Sequence, residues 1–173
     1  MTLIKNRYVT TGALVKKSKH IALCTQCGDI HYKGFWYTSD SQFAQQIDER
    51  TDSVSYYQCP ACKMQNNGTH AGVLHIDRVP EDMLGPVFSV VSKAVEQDIE
   101  NNPQHRVLGV SVVSDGYTLK TTSARMVRYI GRAILDTYEA CEAKSTYVKS
   151  PNSLQVTQIT FPIPSHFNHD LKN

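Results

Sequence analysis

No run of apolar residues in this chain approaches the ~18 that a membrane-spanning helix requires. The longest, residues 87–91, is itself broken by Ser89. A transmembrane segment is therefore not expected. The sequence also lacks charge asymmetry: 18 Lys and Arg against 16 Asp and Glu leave a net charge of +2, too little to specify a polyanionic partner by bulk attraction. Any nucleic-acid contact must come from how the charges are distributed. There is no phosphate-binding glycine loop, no Gly-x-Ser-x-Gly elbow and no His-Glu-x-x-His word, each of which brings reacting groups together at a fixed local spacing. Asp48, Glu49 and Asp52 sit in a polar stretch without a convergent partner, so neither an enzyme nor a small-molecule substrate is expected. The amino-terminal residues place Lys5 and Arg7 where a signal peptide carries its apolar stretch and offer no small-residue cleavage site. A cytoplasmic protein is expected.

Cysteine is present in an odd number, five, and four of these form two Cys-x-x-Cys pairs, a pattern that suits metal ligation in a reducing compartment better than a disulfide framework. Zn²⁺ takes thiolates tetrahedrally at ~2.3 Å, and a two-residue spacer lets one tight turn aim two sulfurs at one ion while backbone N–H groups donate to them. Cys24, Cys27, Cys59 and Cys62 are thus the candidate ligands of one structural zinc ion. Four cysteines leave no open position for water. Gly28 follows the first pair, where a left-handed backbone is often needed; Pro60 stiffens the second spacer, and Lys63 stands where a second glycine would be expected. His20, His31, His70 and His75 are read as surface or packing residues, and Cys141, which has no partner in sequence, as a core thiol.

Iron is the alternative. The words Cys24-Thr25-Gln26-Cys27-Gly28 and Cys59-Pro60-Ala61-Cys62, with Tyr32, Trp36 and Tyr57 nearby, are also similar to the knuckles of rubredoxin, a resemblance that implies one iron and electron transfer. Rubredoxins are small and acidic and have Gly after each pair, whereas this chain has a basic approach, Lys63 and a second domain.

Four segments are expected. Residues 1–20 form a basic arm, with Lys5, Arg7, Lys16, Lys17 and Lys19 and no acidic residue. Residues 21–68 form a four-cysteine zinc-ribbon domain, with β-prone residues after the first cysteine pair and before the second, and a short capped helix over 41–50 carrying Phe43, Ala44 and Ile47. Residues 69–162 form an α+β domain, and 163–173 a tail. In the α+β domain a strand at 73–79 leads to a helix that Gly85 and Pro86 must bend or restart and that Asn101-Asn102-Pro103 stops. Strands at 106–113 and 117–121 flank a Ser114-Asp115-Gly116 turn. A helix over 123–140 and a strand at 154–161 complete a β-α-β-β-α-β order. That order is ferredoxin-like, with a four-stranded antiparallel sheet and both helices on one face.

Two features could meet a partner. Arg125, Arg128 and Arg132 recur at three- and four-residue spacing and so share one face of the second helix, with Lys120 on the strand before it. Together with Lys16, Lys17 and Lys19 they suit RNA phosphates, since the guanidinium fork matches phosphate oxygens; the alternative is a solvated helix face. Tyr32, Phe35, Trp36 and Tyr37 could stack on unpaired bases or form the small core of the zinc ribbon.

The two cysteine words, Trp36, the Gly72-Val73-Leu74 strand, Asp115-Gly116, Thr121-Thr122 and Tyr129-Ile130-Gly131 resemble the nonsense-mediated-decay-three-like family. Its larger members are adaptors that bind the large ribosomal subunit. The resemblance implies that Cys24, Cys27, Cys59 and Cys62 hold metal and that the partner is the ribosome or structured RNA. A zinc-stabilised protein-interaction module is the other reading. This chain has two cysteine pairs where long members have more, and is similar to short bacterial relatives; the resemblance transfers no RNA site.

Overall fold

The residues that flank the first cysteine pair and precede the second are rich in Ile, Val, Tyr, Phe and Trp, and they assemble into one small sheet. The computed structural model describes residues 21–46, 54–113, 115–148 and 154–162. Strands β1 (Ile21–Cys24), β2 (Ile30–Tyr32), β3 (Phe35–Tyr37) and β4 (Val54–Tyr57) lie in the order β3-β2-β1-β4. β2 and β3 form a two-residue hairpin in which Lys33 and Gly34 both have positive φ, 49° and 87°, the backbone that matches strand twist. β1 and β4 are parallel. In the expected helix over 41–50, the described part is a 3₁₀ turn, Ala44–Gln46, started by the Ser41 hydroxyl, which accepts from the Ala44 N–H at 3.2 Å. Phe43 is held instead by the rings of Tyr32 and Tyr37, and Ile47 lies outside the described residues.

After β4 comes a helix that the sequence reading did not anticipate, α1 (Pro60–Asn66). Pro60 is its first residue, where a missing N–H removes no bond. It ends on Gly68 at φ 64°, with the Gly68 N–H donating to the Gln65 carbonyl (3.3 Å) and the Thr69 N–H to the Met64 carbonyl (3.0 Å). This paired closure is the Schellman arrangement.

The second part contains β5 (Gly72–Asp77), α2 (Leu84–Asn101), β6 (Val107–Val113), β7 (Gly116–Thr121), α3 (Ala124–Thr137), β8 (Glu142–Val148) and β9 (Leu154–Thr160). Its sheet has five strands in the order β6-β7-β5-β9-β8, not the four expected, and it is mixed. β9 pairs with β5 in parallel and with β8 antiparallel. The added strand is the reason: β8 turns the chain once more after α3, so β9 enters in the direction opposite to that of a simple β-α-β-β-α-β sheet. α3 correspondingly stops at Thr137. α2 starts at Leu84 after a 3₁₀ turn, Glu81–Met83, which places Pro86 in its first turn, where no intrahelical bond is lost.

Leu74 and Ile76 of β5, Leu119 of β7 and Ile159 of β9 face the helices and meet Val87, Val91, Met126, Val127, Ile130 and Ile134 in one core. Alternation along the strands turns His75, Thr118 and Lys120 to the other face. Among the described residues no helix is long and apolar enough to cross a membrane.

Candidate metal centre

Four sulfurs converge because two parallel strands end side by side. Cys24 is the last residue of β1, and Tyr57 is its partner in β4, so the chain leaving β4 reaches Cys59 next to the first knuckle. That knuckle is closed by the Gly28 N–H donating to the Cys24 carbonyl (3.0 Å) and the Cys24 N–H to the Asp29 carbonyl (2.8 Å). Gly28 has φ 77°, the backbone expected after the second ligand. The other knuckle differs in kind. Cys59 caps α1 and its sulfur accepts from the Cys62 N–H at 3.4 Å, so the chain continues as helix through Lys63 and needs no left-handed residue.

All four sulfurs lie within 4.8 Å of one another, and those of Cys27 and Cys59 are 3.8 Å apart. Metal–sulfur bonds of about 2.3 Å in a tetrahedron place the sulfurs about 3.8 Å apart, against about 2.05 Å in a disulfide. The four sulfurs are close enough to share one ion. Burial pushes the Cys24 thiol up, but the N–H groups of Cys27, Cys59 and Gln26 converge on its sulfur and outweigh that, bringing it down to about 6. For Cys27 and Cys62 burial prevails, and both thiols are raised. Trp36 packs on the cluster and meets His31 and Tyr57 at ring distances of 4.9 and 5.9 Å.

Three residues that sequence reasoning missed complete the site. Arg106, from the segment just before β6, donates from Nη2 to Cys27 Sγ (3.1 Å) and from Nη1 to Cys62 Sγ (3.4 Å). The same Nη2 pairs with the buried carboxylate of Asp29. Gln104 donates to Asp29 Oδ2 (3.2 Å) and accepts from the Ala61 N–H (3.1 Å). Burial works against the Arg106 charge, but Cys27, Asp29 and Cys62 outweigh it and hold the guanidinium more firmly protonated.

No family model and no curated protein matches the chain. What the site can do must therefore be read from its own geometry.

The other expected site residues are not gathered in one place. Arg125, Arg128 and Arg132 are exposed on α3, but Arg128 donates to Gln155 Oε1 (3.1 Å) and Arg132 pairs with Asp136 (2.8 Å). Lys120 does not join them. It is turned to the opposite sheet face, where it lines a cleft of about 130 Å³ with Leu108, His70 and Gln65. Lys16, Lys17, Lys19 and His20 lie outside the described residues. Tyr32 and Tyr37 pack on Phe43 and Trp36 on the cysteines, so most of the aromatic run is local core, with Phe35 left exposed. Cys141 packs against the main core and burial raises its thiol.

Proposed function

We propose that this chain is a zinc-stabilised binding protein and not an enzyme. In this reading Cys24, Cys27, Cys59 and Cys62 hold one zinc ion, and the arginine face of α3 contacts phosphates of ribosomal or other structured RNA. The observation that carries the metal half is the convergence of four sulfurs within 4.8 Å, with backbone N–H groups and a guanidinium aimed at them. Zinc suits this set better than a rubredoxin-like iron. Cys24, Cys59 and Cys62 are at most 4 % exposed and Cys27 is partly buried, and a mostly covered set of four thiolates suits a structural ion. The RNA half is supported by the exposure of Arg125, Arg128 and Arg132 on one helix face.

Elemental analysis of colourless protein is expected to give one zinc per chain. RNA binding, or co-sedimentation with ribosomes, should weaken with salt at a slope of about −0.7 per phosphate contact on single strands, and the double variant Arg128→Glu, Arg132→Glu should weaken it further. Salt-insensitive or absent binding would leave the second reading, a protein-interaction module. The feature favouring that reading is strand β6, which among the described residues is an edge strand, carries no charge and exposes Val110, Val112 and Val113, the kind of edge that suits strand addition.

A further inference from the structure

The segment 102–106 is shaped by its own α/β unit before it touches the cysteines. The Asn102 carbonyl accepts from the His105 N–H (2.9 Å) and its side chain from the Gln104 N–H (3.0 Å). The Thr122 hydroxyl donates to the Gln104 carbonyl (2.7 Å) and accepts from the Arg106 N–H (2.8 Å), while the Thr122 N–H returns to the Arg106 carbonyl (2.9 Å). His105 pairs with the buried Asp98 of α2 at 2.8 Å. The Arg106 side chain is set as well, because Nε donates to the Pro103 carbonyl (3.1 Å). A guanidinium is thus preorganised and presented, with its two remaining nitrogens, to one sulfur from each knuckle.

A divalent ion in four thiolates leaves the cluster with a net negative charge, and charge-assisted bonds from a planar fork are the strong way to meet it. Asp29 and Gln104 extend the same junction: the carboxylate binds Arg106 and Gln104, and Gln104 binds the first turn of α1 through the Ala61 N–H.

We propose that Arg106 is a positioning residue for the metal centre and the link through which metal occupancy fixes the docking of the α/β unit on the cysteine unit. This rests on the metal reading above. Because coupling between two equilibria is reciprocal, Arg106 tightens metal binding, and metal loss loosens the 102–106 segment and Thr122.

The test uses the full-length chain, with Zn²⁺ affinity measured by chelator competition and Co²⁺ as the spectroscopic probe. Loss of a partner just outside the ligand shell typically costs about 10–100-fold in metal affinity. Arg106→Gln is expected to fall in that range and to shift the sulfur-to-cobalt charge-transfer band. Arg106→Lys, which keeps the charge and loses the fork, should lie between it and the wild type. Hydrogen exchange on the wild-type chain needs no variant to fold: chelation should speed exchange at the Arg106 and Thr122 amides along with the knuckles. Unchanged affinity and an unchanged cobalt band in both variants would overturn the proposal while leaving the metal site standing, as would exchange that rises in residues 21–66 alone. Failure of the wild-type chain to bind either ion would instead remove the metal reading on which the proposal rests.

Discussion

At Gly116 a single added methyl group has nowhere to go: a Cβ there would stand 1.8 Å from the Ile76 carbonyl oxygen and 2.9 Å from its carbon. The obstacle is backbone of the central strand β5, which cannot swing aside like the end of a side chain. Gly116→Ala is therefore expected to destabilise the α/β unit by about 1–3 kcal/mol, the usual cost of overpacking, read as a lower denaturant midpoint at unchanged slope. Ala at Gly109, where nothing lies within 4 Å, is the control and should change the midpoint little. Gly116 was legible as part of an Asp-Gly turn word, and the four cysteines and Gly28 were legible for the same reason, since each requirement is met within a few residues of chain. Arg106 and Asp29 were not. They come from positions 77 residues apart, and only the docking of two units makes an arginine before a strand into a partner of two sulfurs.

Among the elements, α3 has two faces that its sequence separates cleanly. Met126, Val127, Ile130 and Ile134 are fully buried, and Arg125, Arg128 and Arg132 exposed, which is the 3.6-residue period read directly. Ile130→Ala should cost about 2–5 kcal/mol by leaving a cavity beneath the sheet, whereas charge reversal at Arg132, which loses only an exposed pair with Asp136, should stay within about 1 kcal/mol of wild type; thermal melts of the two variants compare them directly. If the arginine variant lost as much stability as the core variant, α3 would be a structural element with no surface to spare. Strand β8 marks where such reading fails. All seven of its residues are exposed, so Glu142, Lys144 and Thr146 alternate with Ala143, Ser145 and Tyr147 without a buried face to mark the strand. Charged, polar sequence is how an edge strand avoids unwanted pairing, and it also hides the strand from a search for alternation. Missing β8 led to the wrong strand count and the wrong direction for β9, while the two helices and the β6-β7 hairpin, whose apolar faces are strong, were found at nearly their true positions.

The whole molecule divides its stability unequally. Among the described residues the α/β unit has a core of thirteen buried residues, whereas the cluster around the sulfurs holds Cys24, Cys59, Ala61 and Cys62, with Cys27 and Trp36 against them, and the small sheet adds buried Ile21, Ala22 and Ile30. On the metal reading proposed above, an ion adds to this small core what structural sites typically contribute to folding, roughly 10–16 kcal/mol of apparent binding energy. Chelation is accordingly expected to unfold residues 21–66 and leave the α/β unit with its own separate thermal transition. The chain's single tryptophan is Trp36, so its emission reports this event alone and should shift to the red on chelation and return on adding zinc. Acid should act in the same direction. Burial raises the Cys27 and Cys62 thiols, which must lose their protons to bind metal, so zinc binding releases protons and its affinity falls as pH falls. Cys24, brought down to about 6 by the N–H groups around it, competes less with protons until the solution is mildly acidic. A zinc titration in buffers of different ionisation enthalpy measures the protons released. Trp36 emission indifferent to chelator, or an affinity that does not change with pH, would mean that the cysteine unit holds its shape without an ion and that the sulfurs do not act as thiolate ligands.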